Sequence, residues 1–306
     1  MKDLIIYLAD TLKIKNHLLL EKDILLHRIL IRLMNTSFKE NYAFKGGTCL
    51  TKCYLGYYRF SEDLDFTFIH QNEFEGFSQK KLRKILSKKI NKVLEQLVLL
   101  AKDLKLDFKL DKSDSRYVVL GGNNKFVTFK LWYKPVVGVK EEFIKVQINY
   151  YELIINNIVK MQAHSLFSSI PKNEIELLQP EHVDLIDDVE LMAYSLNEIF
   201  LEKIRAILTR RGTKSRDYID LYLITEKINV NFEKEEENIL RKIKFMLVYD
   251  KYLQNLSVIN PENLILGEEE NLLLEPLDKN FEKFLPSFFE YLKQLDLDLV
   301  IVVAYG

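Results

Sequence analysis

Residues 44–66, FKGGTCLTKCYLGYYRFSEDLDF, hold two adjacent glycines, a lone arginine and three acids within four positions, in a chain with only ten glycines. Tyr42 to Lys45 reads as a short strand that Gly46 and Gly47 end, and TCLTKCYLGYY has the length and spacing of a brief helix. In DLDFTFI the polar positions 63, 65 and 67 alternate with Leu64, Phe66 and Phe68, the period of a half-buried strand. Asp63 and Asp65 are therefore expected side by side on the polar face, a pair of oxygen ligands suited to Mg²⁺ or Mn²⁺. The Gly-Gly turn lets the backbone approach a phosphate, and the amides near Thr48 at the start of the helix would face an anion. Glycines and acids then form one site for a polyphosphate and its metal. Alone, a Gly-Gly is a turn and a D-x-D an exposed strand end.

Outward from this stretch, residues 3 to 35 carry apolar residues at three- and four-residue spacings, which predicts one or two opening helices. Residues 78 to 99 read as a helix, and LKLDFKLD, RYVVL, KFVTFKLWY and FIKVQINYY as successive strands with a Gly-Gly-Asn-Asn turn. Strand signals fade after about residue 185, and segments 189–210, 215–228, 232–256 and 279–294 read as helices. The expected class is α+β: a nucleotide-handling domain over 1–185 with a mixed sheet flanked by helices, then a mainly helical domain over 186–306. INPENLILGEEENLLLEPLDKN reads as a loop-rich connection, and the apolar tail LDLDLVIVVAYG as a strand or packed terminus with no assigned function.

Composition narrows the classes further. A chain of 306 residues with 48% hydrophobic residues supports a real core. Forty-four Lys plus Arg against forty-five Asp plus Glu leave no overall charge to argue for nucleic acid, so any basic surface must be local. Two stretches lack acids: KKLRKILSKKINK (80–92) and KIRAILTRRGTKSR (203–216), the second being the better RNA candidate because it adjoins the motif described next. Cys49 and Cys53 fit neither a disulfide framework nor a zinc pattern and read as packing residues. The five histidines are scattered. The N-terminus lacks a signal peptide pattern and no span is long enough for a membrane helix, so no membrane partner and a cytoplasmic location are expected.

The order strand, GG[ST], short helix, D-x-D strand is that of nucleotidyltransferases, and FKGGTCL…RFSEDLDF resembles the AbiEii/AbiGii group of toxins from type IV toxin–antitoxin systems. Relatives carry a downstream pattern like E-K-[LI]-x-A-L followed by R-D-x-x-D-L, and this chain has EIFLEKIRAILTRRGTKSRDYIDLYLI. The resemblance covers roughly residues 20 to 228, with two separate motifs in order. The residues agree independently. Leu196, Ile199, Phe200, Ile204 and Ile207 form a helical stripe that includes Lys203, and Asp217 shares a stripe with Leu221, Ile224 and Ile228. Without the family, a buried Lys203–Asp217 ion pair joining two helices is as good a reading as catalysis.

The resemblance implies a metal-dependent enzyme that transfers a nucleotide from a nucleoside triphosphate to an RNA acceptor, tRNA above all, and thereby halts translation in phage defence. Asp63 and Asp65 would hold the metal, Lys203 the triphosphate, and Asp217 would orient it or help deprotonate the attacking hydroxyl. Gly46, Gly47, Thr48, Arg59 and Ser61 would contact the nucleotide's phosphates, with Lys45 and Asp220 as weaker candidates. The partner implied is a DNA-binding repressor antitoxin, usually without direct contact. The chain departs from the pattern on IKVQINY, where a third carboxylate is common and Gln147 or Asn149 stands instead. An amide adds no negative charge, which argues against a strongly bound second metal or a carboxylate base at this spot. Two alternatives stay open: an NTP- or RNA-binding module without transfer, and transfer to a small-molecule hydroxyl.

Overall fold

The period-two stretch around Asp63 becomes an inner strand of a seven-stranded mixed sheet. A computed structural model describes residues 1–247, 252, 254, 255 and 272–295. The chain divides into two compact units, one comprising 1–152 with 158–194 and the other 153–157 with 195–306. Each is described by itself.

The first unit opens with α1 (Lys2–Leu12) and α2 (His17–Met34), the latter capped by the Asn16 side chain accepting from the Leu19 amide. Then come β1 (Tyr42–Lys45), the helical turn α3 (Gly46–Cys49), which runs on as a π-helix over Leu50–Leu55, and β2 (Asp63–Phe68). α4 (Gln79–Asp103) is capped by Ser78 and followed by β3 (Val118–Gly121), β4 (Phe126–Tyr133) and β5 (Glu142–Asn149). β6 (Ile158–Ala163), the short α5 (Lys172–Leu178) and β7 (Val189–Tyr194) complete it. The strand order is β3-β4-β5-β2-β1-β7-β6, with β2 parallel to β5 and antiparallel to β1. Leu64, Phe66, Phe44, Val146 and Ile148 are fully buried. α2 packs on β2, β5 and β7, and α4 on α2. The α+β class and mixed sheet are those expected.

Three readings need correction. LKLDFKLD forms no strand: it contributes an isolated bridge, Asp107 to Trp132, because Lys105 adopts a left-handed backbone (φ 56°) that ends α4 and breaks extension. VELMAY, taken as the start of a helix over 189–210, is β7, paired parallel to β1 and antiparallel to β6. The helix begins only after Ser195, whose hydroxyl caps it by accepting from the Glu198 amide. IVKMQA, for which the sequence pattern yields no element, is β6. Six-residue apolar runs do not distinguish helix from strand by period, and here non-local pairing decided.

The second unit is helical among its described residues: α6 (Leu196–Thr209), α7 (Ser215–Ile228), α8 (Phe232–Leu247) and α9 (Asn280–Gln294). α6 packs on α7 and α8, and α9 on α7. Glu198, fully buried on α6, pairs with Lys242 at 2.6 Å and accepts from the Ile155 and Asn156 amides, which ties 153–157 to this unit. The predicted loop over 259–280 lies mostly, and the apolar tail almost wholly, outside the described residues.

His27 on α2 is 1% exposed, with Nε2 3.4 Å from the Asp187 carbonyl and no hydrogen-bond partner at Nδ1 among the described residues. Burial, and next the nearby Lys52 charge, push its pKa from 6.5 down to about 3. The unfolded chain therefore takes up the proton first. Stability is unaffected above about pH 6.5 and declines as the pH falls from there toward 3. Going from pH 7 to 5 is expected to cost about 2 kcal/mol through this group. Urea midpoints of the wild type and His27→Leu at both pH values test this; equal pH slopes in the two proteins refute it.

Candidate active site

Backbone pairing puts the polar side chains of three strands in register. In β2, Asp63 lies beside Lys145 of β5 and Asp65 beside Gln147, while Lys45 of β1 stands directly across from Asp65. Directly paired residues share a face, so Lys145, Asp63, Gln147, Asp65 and Lys45 project from one side of the sheet. The two acids are half-buried, whereas Leu64 and Phe66 point into the core.

The Gly-Gly turn sits against this row. Gly46 has φ +75°, and a Cβ there would lie 2.4 Å from Asp65 Oδ2. A Cβ on Gly47 would lie 2.4 Å from an Arg59 Nη2 and 3.2 Å from Ser61 Oγ. Gly46 is thus favoured by both its left-handed backbone and the close approach of Asp65, whereas a Cβ on Gly47 would have to push back the Arg59 guanidinium. Thr48 donates its hydroxyl to the Asp63 carbonyl and sits 2.8 Å from Ser61 Oγ. Arg59 is 2% exposed and donates to the Phe60 carbonyl at 2.8 Å. Gly46, Gly47, Thr48, Arg59, Ser61, Asp63 and Asp65 thus form one connected group. Gly46→Ala is expected to displace Asp65 and to cost about 1–2 kcal/mol from backbone strain alone. Thermal melting together with nucleotide binding checks this; a variant matching the wild type in both would show that the close approach is dispensable.

Lys45 reaches Glu152 at 3.5 Å and lies 5.3 Å from the centre of the Tyr194 ring. Glu62, adjacent to Asp63 in sequence, pairs with Lys22 at 2.7 Å. Lys145, which no local motif singled out, places its ammonium 3.2 Å from Asp63. Gln147 donates its amide to Thr128 Oγ1 at 3.0 Å, which leaves its carbonyl oxygen as the acceptor. Tyr57 is anchored by its hydroxyl, which donates to Asp23 at 3.0 Å and also contacts the Lys52 ammonium. Burial holds the Cys49 thiol well above its usual value, so it stays protonated, as suits a packing residue.

These residues fit a divalent cation of one kind. Asp63 and Asp65 are hard oxygen donors beside a backbone close enough to touch, and no group of three or more His, Cys, Asp or Glu that could hold a metal occurs among the described residues. That suits an ion which keeps waters and is completed by substrate phosphates, and not an all-protein cage.

The second unit holds the other predicted residues. Lys203 of α6 pairs with Asp217 at 2.9 Å and with Asp220 at 2.5 Å, both on α7, and Arg210 pairs with the other Asp217 oxygen. Lys203, Asp217 and Asp220 are 8%, 3% and 0% exposed. Burial pushes the Asp217 carboxyl up, but Lys203 and then Arg210 outweigh it and hold it below 3.8. Asp217 is therefore ionised and a weak base. Asp220 makes the shorter contact, and its i+3 spacing from Asp217 on one helix face was readable in the sequence.

A model of the family described as nucleotidyl transferase AbiEii toxin, type IV TA system, matches residues 28–300. Similar solved structures include JHP933 from Helicobacter pylori, 17% identical with a TM-score of 0.39 over 92% of this chain and 98% of that one. Another is a candidate nucleotidyltransferase of H. pylori, 17% identical with a TM-score of 0.37 over 90% of this chain and 98% of that one. No curated protein matches the chain. Among the described residues no helix is long and apolar enough to cross a membrane.

Proposed function

Because the chain belongs to the AbiEii family of nucleotidyl transferase toxins of type IV toxin–antitoxin systems, we propose that it transfers a nucleotide from an NTP to an RNA hydroxyl, with tRNA as the favoured acceptor, and so inhibits translation. The observation that carries this reading is the packing of Gly46 against Asp65, with Asp63 beside it and Thr48, Ser61 and Arg59 behind. Phosphate grip and paired carboxylates then belong to one site.

In this reading the acceptor hydroxyl attacks the α-phosphorus, the bond to the β-phosphate oxygen breaks, and pyrophosphate leaves. Asp63 and Asp65 would hold Mg²⁺ or Mn²⁺, which when bound offsets charge on the phosphates and on the leaving group. The backbone at Gly46 and Gly47 admits the phosphates, and Arg59 supplies a fixed positive charge behind them. Lys203, held within the second unit by Asp217 and Asp220, is the cation that the family pattern would assign to the triphosphate. Asp217, kept below the ordinary carboxylate range, orients Lys203 and leaves the hydroxyl proton to solvent. The antitoxin would act as a repressor at DNA, without contact with this chain, in the cytoplasm.

Two observations favour a module that binds without transferring: the Lys145 ammonium stands 3.2 Å from Asp63, where a cation would compete with it, and Gln147 stands where the family pattern commonly has a third acid. Incubation with each of four labelled NTPs and total tRNA separates the readings. Label retained on RNA in a metal-dependent manner supports transfer; saturable NTP binding with unlabelled RNA supports the module.

A further inference from the structure

We infer that the outward face of α4 is a docking surface for an RNA phosphate backbone, distinct from the residues that handle the nucleotide. This rests on the acceptor being RNA. The run from Lys80 to Lys92 holds seven cations and no acid. Leu82, Leu86, Ile90 and Val93 take its buried stripe, which turns Lys80, Arg83, Lys84 and Lys88 outward. Those four line an open groove of about 560 Å³ together with Lys112, which arrives from the segment before β3. Lys112 is steadied by donating to Ser87 Oγ and Asn91 Oδ1, both at 2.8 Å, so the groove has two walls of positive charge. Among the described residues no carboxylate pairs with Lys80, Arg83, Lys84 or Lys88, although Lys89 of the same run pairs with Glu73, and Arg32 and Arg116 pair with acids elsewhere.

The shape and spacing select the partner. Lys80, Lys84 and Lys88 are four residues apart, roughly 6 Å along the axis at each step, a ladder that suits successive phosphates better than a single small anion. The groove offers one apolar side chain, Leu120, and no aromatic ring for stacking, so it would grip a backbone without reading its sequence. The other basic run is less available. Its Lys203 and Arg210 are committed to Asp217, and Arg205 lies 3.5 Å from Glu202.

The test replaces Lys80, Arg83, Lys84 and Lys88 together with glutamine in the full chain and measures binding of total tRNA and of a labelled RNA stem–loop across salt concentrations. Loss of about four phosphate contacts is expected to reduce the log–log salt slope by about 3 and to weaken RNA binding about 100-fold at low salt. Affinity for labelled NTP should not change, which shows that the variant is folded. Unchanged RNA affinity and slope overturn the inference, as does binding of an acidic protein by this face with no RNA bound. A wild type that binds RNA through these cations but transfers no label keeps the groove and removes the transfer reading. A quadruple variant that labels RNA as efficiently as the wild type does the reverse.

Discussion

Asp63→Asn and Asp65→Asn are each expected to abolish metal-dependent nucleotide transfer, by at least about a hundredfold, while the protein stays folded. The two halves of this expectation have separate grounds. Asparagine keeps the volume of each side chain, so the contact of Asp65 with Gly46 is preserved, but it removes the negative charge that holds the metal. The fold should tolerate the loss because Asp63 is only half-buried and its pairing with Lys145 is partly solvated, the kind of ion pair that contributes about 0–1 kcal/mol. Label transfer to RNA, titrated with Mg²⁺ and followed alongside thermal melting, gives both answers. Undiminished turnover in either variant would remove β2 from the chemistry, whatever the family. Loss of transfer with unchanged NTP binding would locate the defect in the metal and not in the phosphate grip.

How much of this was readable beforehand follows from which signals are local. β1, the Gly46–Gly47 turn and β2 were legible because period two, left-handed glycine and alternating burial are all encoded within a few residues. α7 and α9 were legible for the same reason at period 3.6. Sheet order is not local. That β5 lies parallel to β2, and so brings Lys145 beside Asp63 and Gln147 beside Asp65, depends on the long connection over residues 69–141 that no window reveals. β7 was lost to the helix that follows it because VELMAY carries enough apolar residues for either structure, and only its pairing with β1 and β6 decides. Nothing in the scatter of the five histidines marks His27; its Nδ1, without a hydrogen-bond partner among the described residues, is buried by α2's tertiary neighbours, which its position on the helix does not announce.

Lys203→Met is expected to do two things that must be separated: destabilise the protein by about 3–5 kcal/mol, and weaken triphosphate binding. The first follows from geometry, since removing the ammonium leaves Asp217 and the fully buried Asp220 without a charge that lies 2.9 and 2.5 Å away. Asp220 is the more deeply buried of the two and makes the closer contact with the ammonium, while Asp217 also pairs with Arg210. Adding Asp220→Asn to Lys203→Met should therefore recover part of the melting temperature, because a neutral amide is far cheaper to bury than a carboxylate. NTP affinity should stay low in the folded double variant if Lys203 contacts the triphosphate, and should return with stability if the lysine only joins two helices. The pH dependence gives a second handle. Asp217 titrates below its ordinary 3.8, so its stabilising pairing is fully present above that value and is lost as the pH falls through the depressed one. In Lys203→Met the burial that raises the Asp217 carboxyl is no longer outweighed by the ammonium, so protonation relieves the variant first, and the stability gap to the wild type should narrow progressively as the pH falls from neutrality into acid. A single variant that melts early but binds NTP normally would identify the Lys203 cluster as a structural clamp and leave the nucleotide to Asp63, Asp65 and the glycine turn alone.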